Sequence, residues 1–192
     1  MLTNERIEEI LKDSGTLLTG HFQLTSGRHS DKYMQCAKIL QNPAYAMELV
    51  GHLADAFRDD NVDMVVSPAV GGIIIGYELA RQLGVTGLFA ERENGVMTLR
   101  RGFEIPAGAR VVVAEDVITT GGSVMEVVEL VKAAGANLVG VALLVDRSGG
   151  KVDFGAKTVA AYKADVTSYE AEDCPICQKG IPVTKPGSRT LK

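Results

Sequence analysis

Glu115 and Asp116 stand just ahead of Thr119-Thr120-Gly121-Gly122-Ser123, and the two halves of that stretch call for opposite ligands. The hydroxyls of Thr119, Thr120 and Ser123 can donate hydrogen bonds, while Gly121 and Gly122 let a ligand come close to the backbone, as a phosphate monoester requires. Carboxylates at the mouth of such a turn repel the phosphate unless they engage something else, and the candidates are sugar hydroxyls or a divalent cation. A ribose phosphate with a metal satisfies both halves. The stretch is not a nucleoside triphosphate loop, because no Lys precedes its Ser or Thr, and it lacks the glycine spacing of a dinucleotide fingerprint. The plain alternative is a strand–turn–helix connection capped by Ser123. The acidic pair argues against it.

These groups act together only if a strand and a helix hold them. The small and β-branched residues after Arg110 suit a parallel strand covered on both faces, and Val124, Val127, Val128 and Val131 restore helical spacing behind the turn. The turn therefore presents unpartnered N–H groups and the positive end of a helix dipole. A second junction of this kind follows the strand expected at Val62 to Val66, where Ser67-Pro68-Ala69-Val70-Gly71-Gly72 precedes an apolar run from Ile73. It is anion-competent, although Gly-Gly also serves plain chain reversal. A third strand, Asn137 to Val145, ends in Asp146-Arg147-Ser148-Gly149-Gly150, placing charges where open α/β sheets bind ligands. A surface Asp146–Arg147 couple is the bland reading there.

Elsewhere Ile7, Ile10 and Leu11 recur at helical spacing after Asn4 as cap, with Gly15 as stop, and Asn42-Pro43 opens a second amphipathic helix through Phe57. Strands at Val85 to Glu91 and Val96 to Leu99 flank Asn94-Gly95, a hairpin signal. Alternating strands and helices with right-handed crossovers predict an α/β fold, a twisted and mainly parallel sheet with helices on both faces.

The chain has 192 residues, enough for a single domain with a real core. A net charge of −4 and a pI near 5.4 give no footprint for nucleic acid. No apolar run reaches membrane-spanning length and no signal peptide is evident, so no membrane partner and a cytoplasmic location are expected. Three cysteines without an export signal read as thiols, with Cys36 a small buried hydrophobe. Cys174-Pro175-Ile176-Cys177 has the spacing of half a zinc site or of a redox pair, but no second Cys pair or nearby His in the sequence completes it. The segment from Lys163 onward is expected to be a mobile, basic, Pro/Gly-rich tail.

Val111 to Ser123, an apolar strand, an acidic pair and a Thr/Gly loop, closely resembles the phosphoribosyl diphosphate signature of the type I phosphoribosyltransferases. His21 to Tyr33 reads by composition as a surface hairpin, yet its Ser-Gly-x-x-Ser-x-x-Tyr pattern (Ser26, Gly27, Ser30, Tyr33) is similar to the substrate-covering hood of the orotate enzymes of that family. The resemblance implies a type I phosphoribosyltransferase fold over 1–192, with residues 1–40 contributing a small N-terminal hood and 164–192 a C-terminal tail. It implies phosphoribosyl diphosphate bound by Glu115, Asp116, Val117, Ile118, Thr119, Thr120, Gly121, Gly122 and Ser123, with its diphosphate at Ala69, Val70 and Gly71. Catalysis falls to Glu115, Asp116 and Arg92, aided by Mg2+ held mainly through the substrate and not assigned to a direct protein ligand.

The base is implied by Arg147, since orotate carries a carboxylate that a guanidinium can grip and purines carry none. Thr119, Ser26, Gly27 and Tyr33 would complete the orotate site. The family's Lys before the Ser-Gly is Thr25 here, so that contact is not carried over. Relatives also carry a mobile basic loop that closes across a symmetric homodimer, for which this chain offers Arg92, Arg100 and Arg101. The implied reaction is phosphoribosyl transfer to orotate in pyrimidine synthesis. The alternatives are a transferase for another nucleobase, or a sensor of phosphoribosyl diphosphate, which would need a basic nucleic-acid-binding module that this acidic chain lacks.

Overall fold

The computed structural model describes residues 2–24, 26–164 and 167–186. Thr25 and the last residues of the expected tail lie outside the described residues. The chain opens with α1 (Asn4–Asp13), which buries Ile7, Ile10 and Leu11. Its cap stands one residue earlier than expected: the Thr3 hydroxyl accepts the Arg6 N–H, and Asn4 is already helical. β1 (Leu17–Gln23) and β2 (His29–Met34) pair antiparallel as a separate hairpin, the expected hood. α2 (Ala37–Leu40) then leads to α3 (Pro43–Phe57), capped as expected by Asn42, whose Oδ1 accepts the Ala44 N–H.

The main sheet contains β3 (Met64–Pro68), β4 (Thr86–Glu93), β5 (Val96–Leu99), β6 (Arg110–Ile118), β7 (Asn137–Asp146) and β8 (Lys157–Lys163), in the order β5-β4-β3-β6-β7-β8. Every pairing is parallel except the β4–β5 hairpin, which turns at Asn94 and Gly95, both with positive φ. β8 had no counterpart in the sequence reading. It is a short edge strand with alanines at its centre and lysines at its ends, a weak β signal that pairing with β7 overrides.

Alternation along the strands divides the core. Val65, Val112, Ala114, Ala142 and Leu144 face α1, α3 and α4 (Gly72–Leu83), whereas Val66, Val111, Val113, Val141 and Leu143 face α5 (Gly122–Ala133). Helices thus cover both faces. From β3 the chain crosses through α4 to β4 on one side, and from β6 it crosses through α5 to β7 on the other. The connections therefore part between β3 and β6, which opens a crevice at the carboxyl ends of these strands.

The C-terminal segment departs from the expected free tail. Residues 167–184 run along the hood: Tyr169 and His29 exchange backbone hydrogen bonds, Thr184 bonds to His21 and Gln23, and the Ser30 hydroxyl donates to the Thr167 carbonyl. Arg28 adds bonds to Ser168 and Glu170. These pairings satisfy the hairpin edge that would otherwise be exposed. They also bring two histidines to the Cys174/Cys177 pair: His21 Nε2 lies 3.6 Å and 3.7 Å from the two sulfurs. The expectation that no His approaches the pair is therefore corrected. α6 (Pro175–Gln178) carries the second cysteine.

Candidate active site

Two glycine turns meet at the crevice. Gly71 caps α4 and Gly121 caps α5, and neither end has a side-chain cap, whereas α1 and α3 are capped by Thr3 and Asn42. Ser123 lies inside α5, so the plain reading of a capping Ser fails. The first N–H groups of both helices are left for a ligand, with the dipoles favouring an anion. Around the start of α5, a cavity of about 230 Å3 is lined by Arg92, Glu115, Val117, Ile118, Thr119, Thr120, Gly121, Gly122, Ser123, Val124 and Glu126. The hydroxyls of Thr119, Thr120 and Ser123 make no hydrogen bond among the described residues, and Thr119 and Thr120 are exposed.

The acidic pair joins the two turns. A Cβ on Gly71 would lie 2.9 Å from both carboxylate oxygens of Asp116, and one on Gly72 would lie 3.1 Å from Glu115 Oε1. Only glycine lets the Ala69–Gly72 turn lie this close to the acids. Asp116 Oδ1 accepts the Val117 N–H at 2.8 Å, and Glu115 Oε1 accepts the Asp116 N–H at 3.0 Å. Glu115 is only 8% exposed. Its burial, and then the charge of Asp116, push its carboxyl up to about 8, which favours a protonated Glu115 at neutral pH.

At the neighbouring strand end Ile118 is level with Asp146, and the Arg147 N–H donates to the Ile118 carbonyl at 2.9 Å, so Thr119 and Arg147 emerge side by side. Asp146 is not Arg147's partner: its Oδ1 accepts the Ser148 N–H and hydroxyl at 2.8 Å and 2.6 Å. Arg147 Nε is buried with no hydrogen-bond partner, an unmet donor that an anionic ligand would satisfy. Cys36, 5% exposed, sits near enough to feel both Asp116 and Arg147. Burial, then Asp116, raise its thiol to about 12 against the pull of Arg147, so it stays neutral.

Arg92 lines the cavity, where it donates to Glu126 at 2.8 Å and to the Gly95 carbonyl at 2.9 Å. Arg100 and Arg101 are held instead by Glu93 and Glu91 on the β4–β5 hairpin. These pairs are solvent-exposed and weak, so a ligand can draw the arginines away. Glu126 has no signal of its own in the sequence; it follows α5 onto the cavity wall. Ser26, exposed, and Gly27, half-buried, lie in the turn of the hood, and the Tyr33 hydroxyl donates to Gln35 at 3.3 Å. No hydrogen bond among the described residues ties Ser26, Gly27 or Tyr33 to the cavity, so the structure brings together Arg92, the Ala69–Gly72 turn, Glu115 to Ser123 and Arg147 but not these three.

A family profile described as "Phosphoribosyl transferase domain" matches residues 35–168. An orotate phosphoribosyltransferase of Pelotomaculum thermopropionicum is 57% identical over 99% of this chain and 100% of that protein. One from Thermotoga maritima is 53% identical over 97% and 100%. Among solved structures, the orotate phosphoribosyltransferase of Aeropyrum pernix superposes with a TM-score of 0.67 at 27% identity, covering 82% of this chain and 93% of that one. An adenine phosphoribosyltransferase of Thermoanaerobacter pseudethanolicus shares the fold, with a TM-score of 0.61 at 19% identity over 69% and 88%.

Proposed function

The chain belongs to the orotate phosphoribosyltransferases within the phosphoribosyl transferase domain family, and on that premise we propose that it moves the 5-phosphoribosyl group of phosphoribosyl diphosphate onto orotate. The products are orotidine 5′-monophosphate and diphosphate, a step of pyrimidine synthesis. The observation that carries this reading is the pair of uncapped helix starts, at Gly71 and Gly121, converging on Glu115 and Asp116. One start suits the 5-phosphate, the other the diphosphate, and the acids between them suit the ribose hydroxyls.

Breaking the anomeric C–O bond places positive charge on the ribose and negative charge on the departing diphosphate. Asp116 and, once ionised, Glu115 favour the first, while Arg92 and the amides of Ala69, Val70 and Gly71 favour the second. Orotate's ring nitrogen supplies the electron pair for the new bond, with the free Nε of Arg147 meeting its carboxylate and Thr119 beside it. Mg2+, when bound, neutralises charge on the diphosphate. The donor set suits a cation held mainly by the substrate, because Asp116 faces the Gly71 turn across a gap that any side chain there would fill, and Glu115 is engaged by a backbone N–H.

The enzyme acts as a homodimer in the cytoplasm. Val70, Ile74 and Tyr77 form an exposed apolar stripe at the start of α4, 82%, 49% and 71% exposed, which supports a self-complementary interface beside the site. No helix among the described residues is long and apolar enough to cross a membrane, and all three cysteines are free thiols. The test is orotidylate formation with and without Mg2+, run against hypoxanthine, xanthine, adenine and uracil as competing acceptors. Turnover of another base in preference to orotate would overturn the assignment.

A further inference from the structure

We propose that His21, His29, Cys174 and Cys177 form a structural zinc site that fastens the C-terminal segment to the hood. One ligand atom from each lies within 4.8 Å of the others, and none of the four lines the cavity at the carboxyl end of β6.

Four of the six separations among these ligand atoms match those around a tetrahedral zinc. Zinc bonds of about 2.0–2.1 Å to nitrogen and about 2.3 Å to sulfur imply ligand separations of roughly 3.3 Å for N–N and roughly 3.6 Å for N–S. Here His21 Nε2 to His29 Nδ1 is 3.0 Å, and the N–S separations are 3.3, 3.6 and 3.7 Å. The protonation pattern agrees. His21 Nδ1 lies 2.7 Å from the Ile181 carbonyl, which can only accept, so Nδ1 carries a proton and in the neutral ring Nε2 turns its lone pair into the cluster. A carbonyl behind a ligating ring is the usual way such a His is oriented.

Hydrogen bonding alone serves this group poorly, since both sulfurs and the His29 Nδ1 all converge on His21 Nε2, and Cys177 Sγ lies against His29 Nδ1 as well. His21, His29 and Cys174 are buried, at 3%, 6% and 0% exposure, so water reaches the group only on the side of the exposed Cys177. Four protein ligands with no open position mark a structural rather than a catalytic metal, and the Cys2His2 set selects zinc. On uptake both thiols bind as thiolates and release their protons, while both rings bind neutral. The ligands come from β1, β2 and the α6 segment, so one ion closes a loop across 153 residues of chain.

The experiment measures zinc in the purified full-length protein and in Cys177→Ser, altered at an exposed position, and His29→Gln, with circular dichroism to verify folding. The expected result is about one zinc per wild-type chain. Folded variants should bind zinc more weakly by at least the roughly 10–100-fold typical of losing an outer-shell partner. Cobalt added to chelator-treated wild type should give a thiolate charge-transfer band that Cys177→Ser diminishes. Wild-type protein that binds zinc no more tightly than Cys177→Ser, or that carries a Cys174–Cys177 disulfide as isolated, would overturn the proposal. If both variants fail to fold, cobalt titration of chelator-treated wild type decides alone: no charge-transfer band means no site.

Discussion

Replacing Gly122 by Ala separates the stability of the α5 start from its use as a phosphate site. A Cβ at Gly122 would meet nothing nearer than Thr120 Oγ1 at 3.9 Å, and the residue is helical. Removing backbone freedom from the unfolded chain should therefore stabilise the protein by up to about 1 kcal/mol. Gly122 lines the cavity proposed to take the 5-phosphate, so the added methyl should raise the KM for phosphoribosyl diphosphate at least about tenfold, about 1.4 kcal/mol of binding. Gly121 is the contrast. Its φ is +74°, and a Cβ there would lie 2.8 Å from Val152 Cγ1 and 3.0 Å from Phe154 Cζ. Left-handed backbone costs Ala about 1–2 kcal/mol and overpacking about 1–3 kcal/mol more. Gly121→Ala should accordingly lose about 2–5 kcal/mol in urea denaturation, alongside its kinetic defect. A stabilised Gly122→Ala with an unchanged KM for phosphoribosyl diphosphate would refute the phosphate assignment. A Gly121→Ala as stable as wild type would refute the packing argument.

Arg147→Ala should raise the KM for orotate by roughly 10–100-fold, as expected for a charged hydrogen bond, and leave that for phosphoribosyl diphosphate nearly unchanged; equal effects on both substrates reject its role. Glu115 holds its proton to about pH 8 in the native state but only to its ordinary value of 4.5 when unfolded. The native state thus binds the extra proton between those values, and its contribution to stability, full below 4.5, is lost as pH rises towards 8, with a slope of at most about 1.4 kcal/mol per pH unit. Urea midpoints should fall over this window in wild type and less so in Glu115→Gln; superimposable profiles count against the buried proton. If the stripe on α4 forms the proposed dimer interface, Tyr77→Asp should sediment as a folded monomer where wild type sediments as a dimer; a persistent dimer would place the interface elsewhere.

Much of the site was legible because its chemistry is local. The strand, acids, hydroxyls and glycines of 110–123 are consecutive, and the consequences of that order, an apolar strand followed by exposed helix N–H groups, need only neighbouring residues. Asn42 as a cap and Asn94-Gly95 as a hairpin turn were readable for the same reason. The alanine-centred β8 was not, since what makes it a strand is the edge of β7. Nor could Arg147's side chain be known to lack a partner, or Glu115 to keep its proton, because both follow from water excluded by segments distant in the chain.

The amino-acid order alone therefore determined which chemistry the loop after β6 can perform and which fold would hold it. The tertiary structure decided what surrounds that loop and what the C-terminal segment does. His21 and Cys174 stand 153 residues apart, and no spacing rule joins them. Only the backbone pairing of the hood with residues 167–184 sets the two rings against the two sulfurs, since ligand geometry depends on distances through space that the intervening chain does not encode locally.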